Sequence, residues 1–190
     1  MRIERALTDI YTLGPGNRLC IWVNGCHRNC PGCVSKRLQV IDESVDFNIE
    51  EYFSGYNFSR FDGVTISGGE PFDQIDELYH LVIFLKKKGI NDILIYTGYL
   101  LNELIMMNNP KIALILSNIA VLIDGPYIDE LNNDSNNIKG SSNQEIYYFK
   151  KEYKEKYLKY IQSKREMQEV QYANTLIGIG IPTKDYIKNF

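Results

Sequence analysis

Between Arg18 and Ile123 short apolar runs alternate with helix-forming stretches, and that alternation restricts the chain to a mostly parallel sheet covered by helices. The runs are Arg18 to Val23 (RLCIWV), Gly63 to Ser67 (GVTIS), Asp92 to Thr97 (DILIYT) and Ile119 to Ile123 (IAVLI). Each is rich in residues that suit a pleated, buried surface. The clearest helix is Asp73 to Lys88, where Ile75, Leu78, Val82 and Leu85 recur at spacings of 3 and 4. Asp73 sits at its start, Lys86, Lys87 and Lys88 fill its last turn, and Gly89 stops it. Shorter helices are predicted from Asn48 to Phe53, over 100–108 and over 110–117.

Such sheets place their ligands beyond the carboxyl ends of the strands. Four unusual loops fall there: CHRNCPGC (26–33), SGGEPF (67–72), TGY (97–99) and DGPY (124–127). Four such loops on one edge point to one site. The rest of the chain differs. Residues 129–144 are rich in Asn, Asp, Ser and Gly and read as a long loop. Lys150 to Met167 reads as an amphipathic helix whose Tyr153, Tyr157 and Tyr160 pack on the body, with a partner-docking helix as the alternative. Glu169 to Ala173 and Leu176 to Ile179 suggest a terminal hairpin.

Composition narrows the function. The chain has 190 residues, enough for one domain with a real core. A formal net charge of −3 gives no reason to expect nucleic acid or an anionic membrane surface. No stretch is apolar and long enough to span a bilayer, and the first residues lack the apolar segment of a signal peptide. The expected compartment is the reducing cytoplasm, where clustered cysteines bind metals or catalyse rather than pair as disulfides.

Cys26, Cys30 and Cys33 are spaced C-x3-C-x2-C. A disulfide leaves one thiol over and closes a very small loop. A zinc site could use these three with His27 or a distant ligand, although His27 adjoins Cys26 too closely to converge easily with three thiolates. An iron–sulfur cube usually takes four thiolates, so three leave one iron open to a small molecule. Pro31 and Gly32 permit a sharp turn between the second and third thiols, and Gly25 relaxes the backbone before the first. Cys20, inside an apolar run, reads as a small core hydrophobe, and Trp22 as core. His27 and His80 read as surface or structural residues.

C-x3-C-x2-C after the first run, with G-G-E-P after the second, resembles the radical S-adenosylmethionine (SAM) enzymes. GPGNRLCIWVNGCHRNCPGC (14–33), SGGEPF (67–72), YTGY (96–99), VLIDGPY (121–127) and GSSNQ (140–144), in that order, resemble the activating proteins of anaerobic ribonucleotide reductases. The resemblance covers roughly residues 10–148 and leaves the tail unmatched. It implies a partial (β/α) TIM-like barrel of the radical SAM type, with a core over 1–149 and an extension over 150–190 packed on it. It also implies a 4Fe–4S cluster on Cys26, Cys30 and Cys33, whose open iron is chelated by SAM. Reductive cleavage of SAM then yields a radical that takes a hydrogen from one glycine of the reductase's large subunit, with a flavodoxin- or ferredoxin-like protein as electron donor.

On the same resemblance, Gly68 and Gly69 let the backbone approach the methionine part of SAM, Glu70 offers a carboxylate to its ammonium group, and Pro71 stiffens the turn. Thr97 and Asp124 end neighbouring runs and are placed against the same ligand, although a strand-end Asp also serves as a turn former. Ser141, Ser142 and Asn143 form a loop over the SAM site. Arg18 matches the family's G-P-G-x-R, with no role beyond charge near an anionic group. Only Cys20 is spare, which leaves no room for an added ferredoxin module. The alternatives are the same chemistry on another glycyl-radical enzyme or a peptide, and a non-catalytic iron–sulfur or zinc-binding module.

Overall fold

The computed structural model describes residues 1–134, 136–184 and 186; the rest of the expected extension, residues 185 and 187–190, lies outside them. Six strands form one sheet in the order β1-β2-β3-β4-β5-β6. They are β1 (Ile3–Ile10), β2 (Arg18–Val23), β3 (Gly63–Gly68), β4 (Ile93–Tyr96), β5 (Val121–Asp124) and β6 (Glu145–Tyr148). The expected strands β2 to β5 run parallel to one another. The edges β1 and β6, which the apolar runs do not mark, are antiparallel to their neighbours. These two edges do not pair with each other, so no closed barrel forms among the described residues.

The helices are α1 (Ile49–Tyr52), α2 (Ile75–Lys87), α3 (Leu101–Met106), α4 (Pro110–Asn118) and α5 (Lys151–Ile161). The Pro71–Gln74 segment is a 3-10 turn, so α2 starts two residues later than the periodicity predicts. The period-2 alternation of β2 explains its continuous apolar run. Leu19, Ile21 and Val23 join Val64, Ile66, Leu78, Val82, Leu85 and Ile115 in the main core under α2 and α4. Cys20 and Trp22 join a separate cluster with Leu7, Leu38 and Ile179. A strand buried on both faces has no polar alternation to show.

The second face of the sheet is covered by the chain's last quarter. Tyr157 of α5 is fully buried against Leu94, Val121 and Ile123, with Tyr153 and Tyr160 partly buried beside it. The tyrosine stripe therefore packs inward as expected, although α5 ends at Ile161 rather than Met167. The hairpin follows as β7 (Gln168–Tyr172) and β8 (Thr175–Ile179). No helix among the described residues is long and apolar enough to cross a membrane.

Arg18 finds its anionic partner in this packing. Its guanidinium is fully buried, 3.2 Å from the Asp92 carboxylate, and also donates to Thr65 Oγ1 (2.7 Å) and the Val64 carbonyl (2.8 Å). Asp92 also accepts from the Tyr157 hydroxyl (2.6 Å) and Lys156 Nζ (3.2 Å). The cluster lies at the amino ends of the strands, away from the loops singled out above. Asp92→Ala leaves a buried guanidinium uncompensated, so a loss of about 3–5 kcal/mol is expected. A urea unfolding midpoint measures it.

Candidate metal centre and cofactor cleft

The loops leaving the carboxyl ends of β2, β3, β4 and β5 line one open cleft. Cys26, Cys30 and Cys33 line it with Gly68, Gly69, Glu70, Thr97 and Gly125. The cysteine loop is held to the chain that follows it: the Gly25 amide donates to the Leu38 carbonyl (2.8 Å) and the Cys26 amide to the Gln39 carbonyl (3.2 Å). Between the second and third thiols the Cys33 amide donates to the Cys30 carbonyl (3.3 Å). Pro31 then occupies the second turn position, and Gly32, at φ 72°, the third. This is the residue pattern a type II turn demands. All three thiols are free and half-buried. Burial pushes the Cys26 and Cys33 thiols up from their ordinary value, so protons must leave as a metal binds.

Gly68 and Gly69 lie in the cleft wall, but packing is what requires their missing side chains. A Cβ on Gly68 would stand 2.4 Å from the Val23 backbone nitrogen, and one on Gly69 2.2 Å from the Gly25 carbonyl oxygen. The Gly69 amide donates to Val23 (2.7 Å) and the Glu70 amide to Gly25 (2.8 Å), which clips the end of β3 onto the cysteine loop. Pro71 opens the 3-10 turn and is buried, outside the cleft lining.

Glu70 is 1% exposed. Its Oε1 accepts from the Phe72 amide (3.0 Å) and Thr97 Oγ1 (2.7 Å), and its Oε2 from the Gly98 amide (2.7 Å). Burial nevertheless raises its carboxyl to about 7 against an ordinary 4.5, with the nearby Asp73 carboxylate adding to the rise. The folded state thus disfavours the ionised form. The stability Glu70 contributes is complete below about 4.5 and is lost as pH rises through about 7. Thr97 is buried in the cleft wall, where its hydroxyl also accepts from the Tyr99 amide (3.1 Å).

The remaining expected residues stand beside the cleft rather than in its lining. Asp124 Oδ2 accepts from the Leu101 amide (2.6 Å) and Oδ1 from the Glu145 amide (3.2 Å). Ser141 Oγ accepts from the Ile128 amide (3.2 Å), and Asn143 Nδ2 donates to the Pro126 carbonyl (2.8 Å). The Asn143 Oδ1 is buried without a partner. Its neighbours Gly140 and Gln144 do line the cleft.

Sequence reasoning missed a second tie on the cysteine loop. Asp73 accepts from the His27 amide (3.1 Å), lies 2.9 Å from His27 Nδ1, and accepts from the Tyr99 hydroxyl (2.8 Å). Arg28 lies 4.3 Å from the centre of the Tyr99 ring and bonds Glu103 at 3.0 Å. His27 is thus a structural residue on an exposed edge, as expected. A cation and an aromatic separated by 71 positions give no local pattern in a sequence, so nothing nearby marks Arg28.

The residues present fit an iron–sulfur group and a cationic ligand. Three soft thiolate donors with no fourth cysteine in the cleft suit a cluster. Among the described residues no three His, Cys, Asp or Glu side chains converge on one ion position. The ligands of a polynuclear cluster bind separate irons and need not converge. Glu70 Oε2 has accepted one hydrogen bond from the protein and keeps capacity for a donor in the cleft. A Cβ on Gly98 would stand 3.4 Å from that oxygen and 2.5 Å from Arg28 Cδ, so a glycine keeps the space open.

The 4Fe-4S single cluster domain family matches residues 12–147. A relative from Haemophilus influenzae, an anaerobic ribonucleoside-triphosphate reductase-activating protein, is 32% identical over 151 residues, covering 75% of this chain and 94% of the relative. The chain belongs to this family of activating proteins. Members bearing the same name from Escherichia coli (30% identical over 145 residues) and Salmonella typhi (31% over 146) cover 72% of this chain and 92% of each relative. The family match spans all four cleft loops and ends just before α5.

Proposed function

We propose that this chain activates an anaerobic ribonucleoside-triphosphate reductase, using a 4Fe–4S cluster on Cys26, Cys30 and Cys33 and SAM bound in the same cleft to place a glycyl radical on that enzyme. The observation that carries this reading is the shared cleft: three free thiols and a buried carboxylate on adjoining strand ends. When bound, the cluster and SAM supply one-electron cleavage of a sulfonium–carbon bond and removal of a hydrogen atom from a glycine. We also read the sheet as part of a partial (β/α) barrel of the radical SAM type, and the electron donor as a flavodoxin- or ferredoxin-like protein. Three reduced thiols suit the cytoplasm.

This chain's residues bind, orient and exclude water. The three thiolates hold the cluster, and Cys20 is too deep in the core to add a fourth. Glu70 Oε2 pairs with the SAM ammonium group, while Thr97 and the Phe72 and Gly98 amides fix the carboxylate. Gly68 and Gly69 keep the carboxylate's loop against the cysteine loop. Asp124 fixes the entry to α3 and the start of β6, and Ser141 and Asn143 hold the 126–128 backbone beside the cleft.

A pH dependence follows from Glu70. Below about 7 its carboxyl is protonated in the ligand-free protein and must release that proton to meet an ammonium group. SAM affinity is therefore expected to fall by up to about tenfold for each pH unit below that value. Equilibrium binding of SAM to the cluster-loaded protein tests this, and Glu70→Gln is expected to weaken binding and flatten the profile.

The functional test mixes the protein with the reductase, SAM and a reductant without oxygen. Electron paramagnetic resonance is expected to show a glycyl doublet on the reductase. SAM cleavage without that doublet directs the chemistry to another glycyl-radical enzyme or a peptide. Protein that takes up zinc and never cleaves SAM is a binding module.

A further inference from the structure

Residues beyond the family match reach back into the cofactor cleft. The relatives are covered over nine-tenths of their length, while more than a fifth of this chain stays outside those alignments. The hairpin of the extension is tied to the β1–β2 connection. Thr12 Oγ1 donates to the Ile179 carbonyl (2.8 Å), Gln168 Nε2 to the Asp9 carbonyl (2.8 Å), and the Tyr11 amide to Gln168 Oε1 (3.0 Å). Past β8 the chain turns, and Ile181 and Pro182 line the cleft that holds Cys26, Cys30 and Cys33. Ile181 also packs on the cluster containing Leu38, whose carbonyl holds the Gly25 amide of the cysteine loop.

Arg165 fastens this segment. Its side chain is 4% exposed. It donates to the Pro182 carbonyl (3.0 Å) and, on the facing loop, to Asn132 Oδ1 (2.9 Å), Asp134 Oδ1 (2.6 Å), the Asn136 carbonyl (2.6 Å) and the Lys139 carbonyl (2.7 Å). A planar guanidinium with its donors in a fixed fork suits such a cross-tie, and a lysine ammonium does not. One side chain therefore joins the tail to a loop whose Asn132 also lines the cleft.

We infer that the C-terminal extension is a built-in wall of the cofactor cleft, in which Ile181 and Pro182, latched by Arg165, screen the three cysteines from water and small solutes. The wall goes beyond the activating function proposed above, and its test does not depend on a bound cluster. An apolar screen suits a site that carries reactive one-electron chemistry, because it keeps solvent and side reactants away.

The test uses the full-length, reduced, metal-free protein and a small neutral thiol reagent, iodoacetamide. Labelling rates are read cysteine by cysteine by mass spectrometry. Arg165→Ala is expected to raise the rates at Cys26, Cys30 and Cys33 by about tenfold, the scale of one lost charge-assisted hydrogen bond. Ile181→Gly is expected to raise them as well, and Arg165→Lys to fall between wild type and Arg165→Ala. Buried Cys20 is the internal reporter of fold and is expected to stay unlabelled. If Arg165→Ala exposes Cys20 too, Ile181→Gly decides alone. Unchanged rates at the three loop thiols in Ile181→Gly, or a rise there no larger than at Cys20, overturns the wall. Because the readout needs no cluster, that failure leaves the cofactor assignment standing.

Discussion

Cys30→Ala is expected to abolish cluster assembly and SAM cleavage while leaving the fold intact. The residue lies in the middle of the cysteine loop, half-exposed, and supports no core packing. Its loss leaves only two thiolates for the proposed cluster. Among the described residues no other thiol or imidazole is placed to replace it. Cys20 is 1% exposed in β2, and burial pushes its thiol up to about 12. His27 is turned to Asp73. Disturbing only the outer partners of a metal ligand commonly costs 10- to 100-fold, so losing a ligand is expected to lower SAM cleavage by more than about a hundredfold. Iron content after anaerobic reconstitution, the rate of SAM cleavage and the far-ultraviolet circular dichroism spectrum check the three parts. Full iron content with normal cleavage would remove Cys30 from the ligand set.

Gly69→Ala is expected to destabilise the fold and lower iron uptake together. The new Cβ would meet the Gly25 carbonyl oxygen at 2.2 Å and the Gly25 carbonyl carbon at 2.8 Å. Both are backbone atoms, so no rotamer change relieves the clash. Either the end of β3 or the start of the cysteine loop must move, which breaks the Glu70 amide bond to Gly25. Overpacking typically costs about 1–3 kcal/mol, and a clash with backbone atoms belongs at the upper end of that range. Displacing Gly25 also displaces Cys26, so iron uptake falls together with stability. Gly55 provides the comparison: a Cβ there would meet no atom within 4 Å, and Gly55→Ala is expected to be neutral or stabilising by a few tenths of a kcal/mol. Urea midpoints and iron content of the two variants measure the difference.

The four central strands were legible because they are buried along most of their length and are dominated by apolar residues, with Thr65 and Ser67 the polar interruptions in β3. The edges were not. In β1, Glu4, Arg5, Thr8 and Asp9 interrupt the pattern, and the strand is half-buried along most of its length. In β6 only four residues follow a polar loop. The site was legible where its chemistry is local: three thiols in eight residues, and a Gly-Gly-Glu-Pro turn at a strand end. It was not legible where the partners are distant. Arg18 meets Asp92 across 74 positions, and the glycines answer to a neighbouring strand that the sequence does not place. Thr97 shows the same division. Its position at a strand end was readable, whereas its hydroxyl bond to Glu70, 27 residues away, depends on the sheet order.

The most direct measurement is the electron paramagnetic resonance spectrum of the reduced, cluster-loaded protein, recorded as SAM is added. On the proposed assignment, three thiolates on a four-iron cube leave one iron for the ligand, so the cluster signal is expected to change with SAM and to saturate at one equivalent. A signal that stays the same at saturating SAM would contradict the proposed open iron.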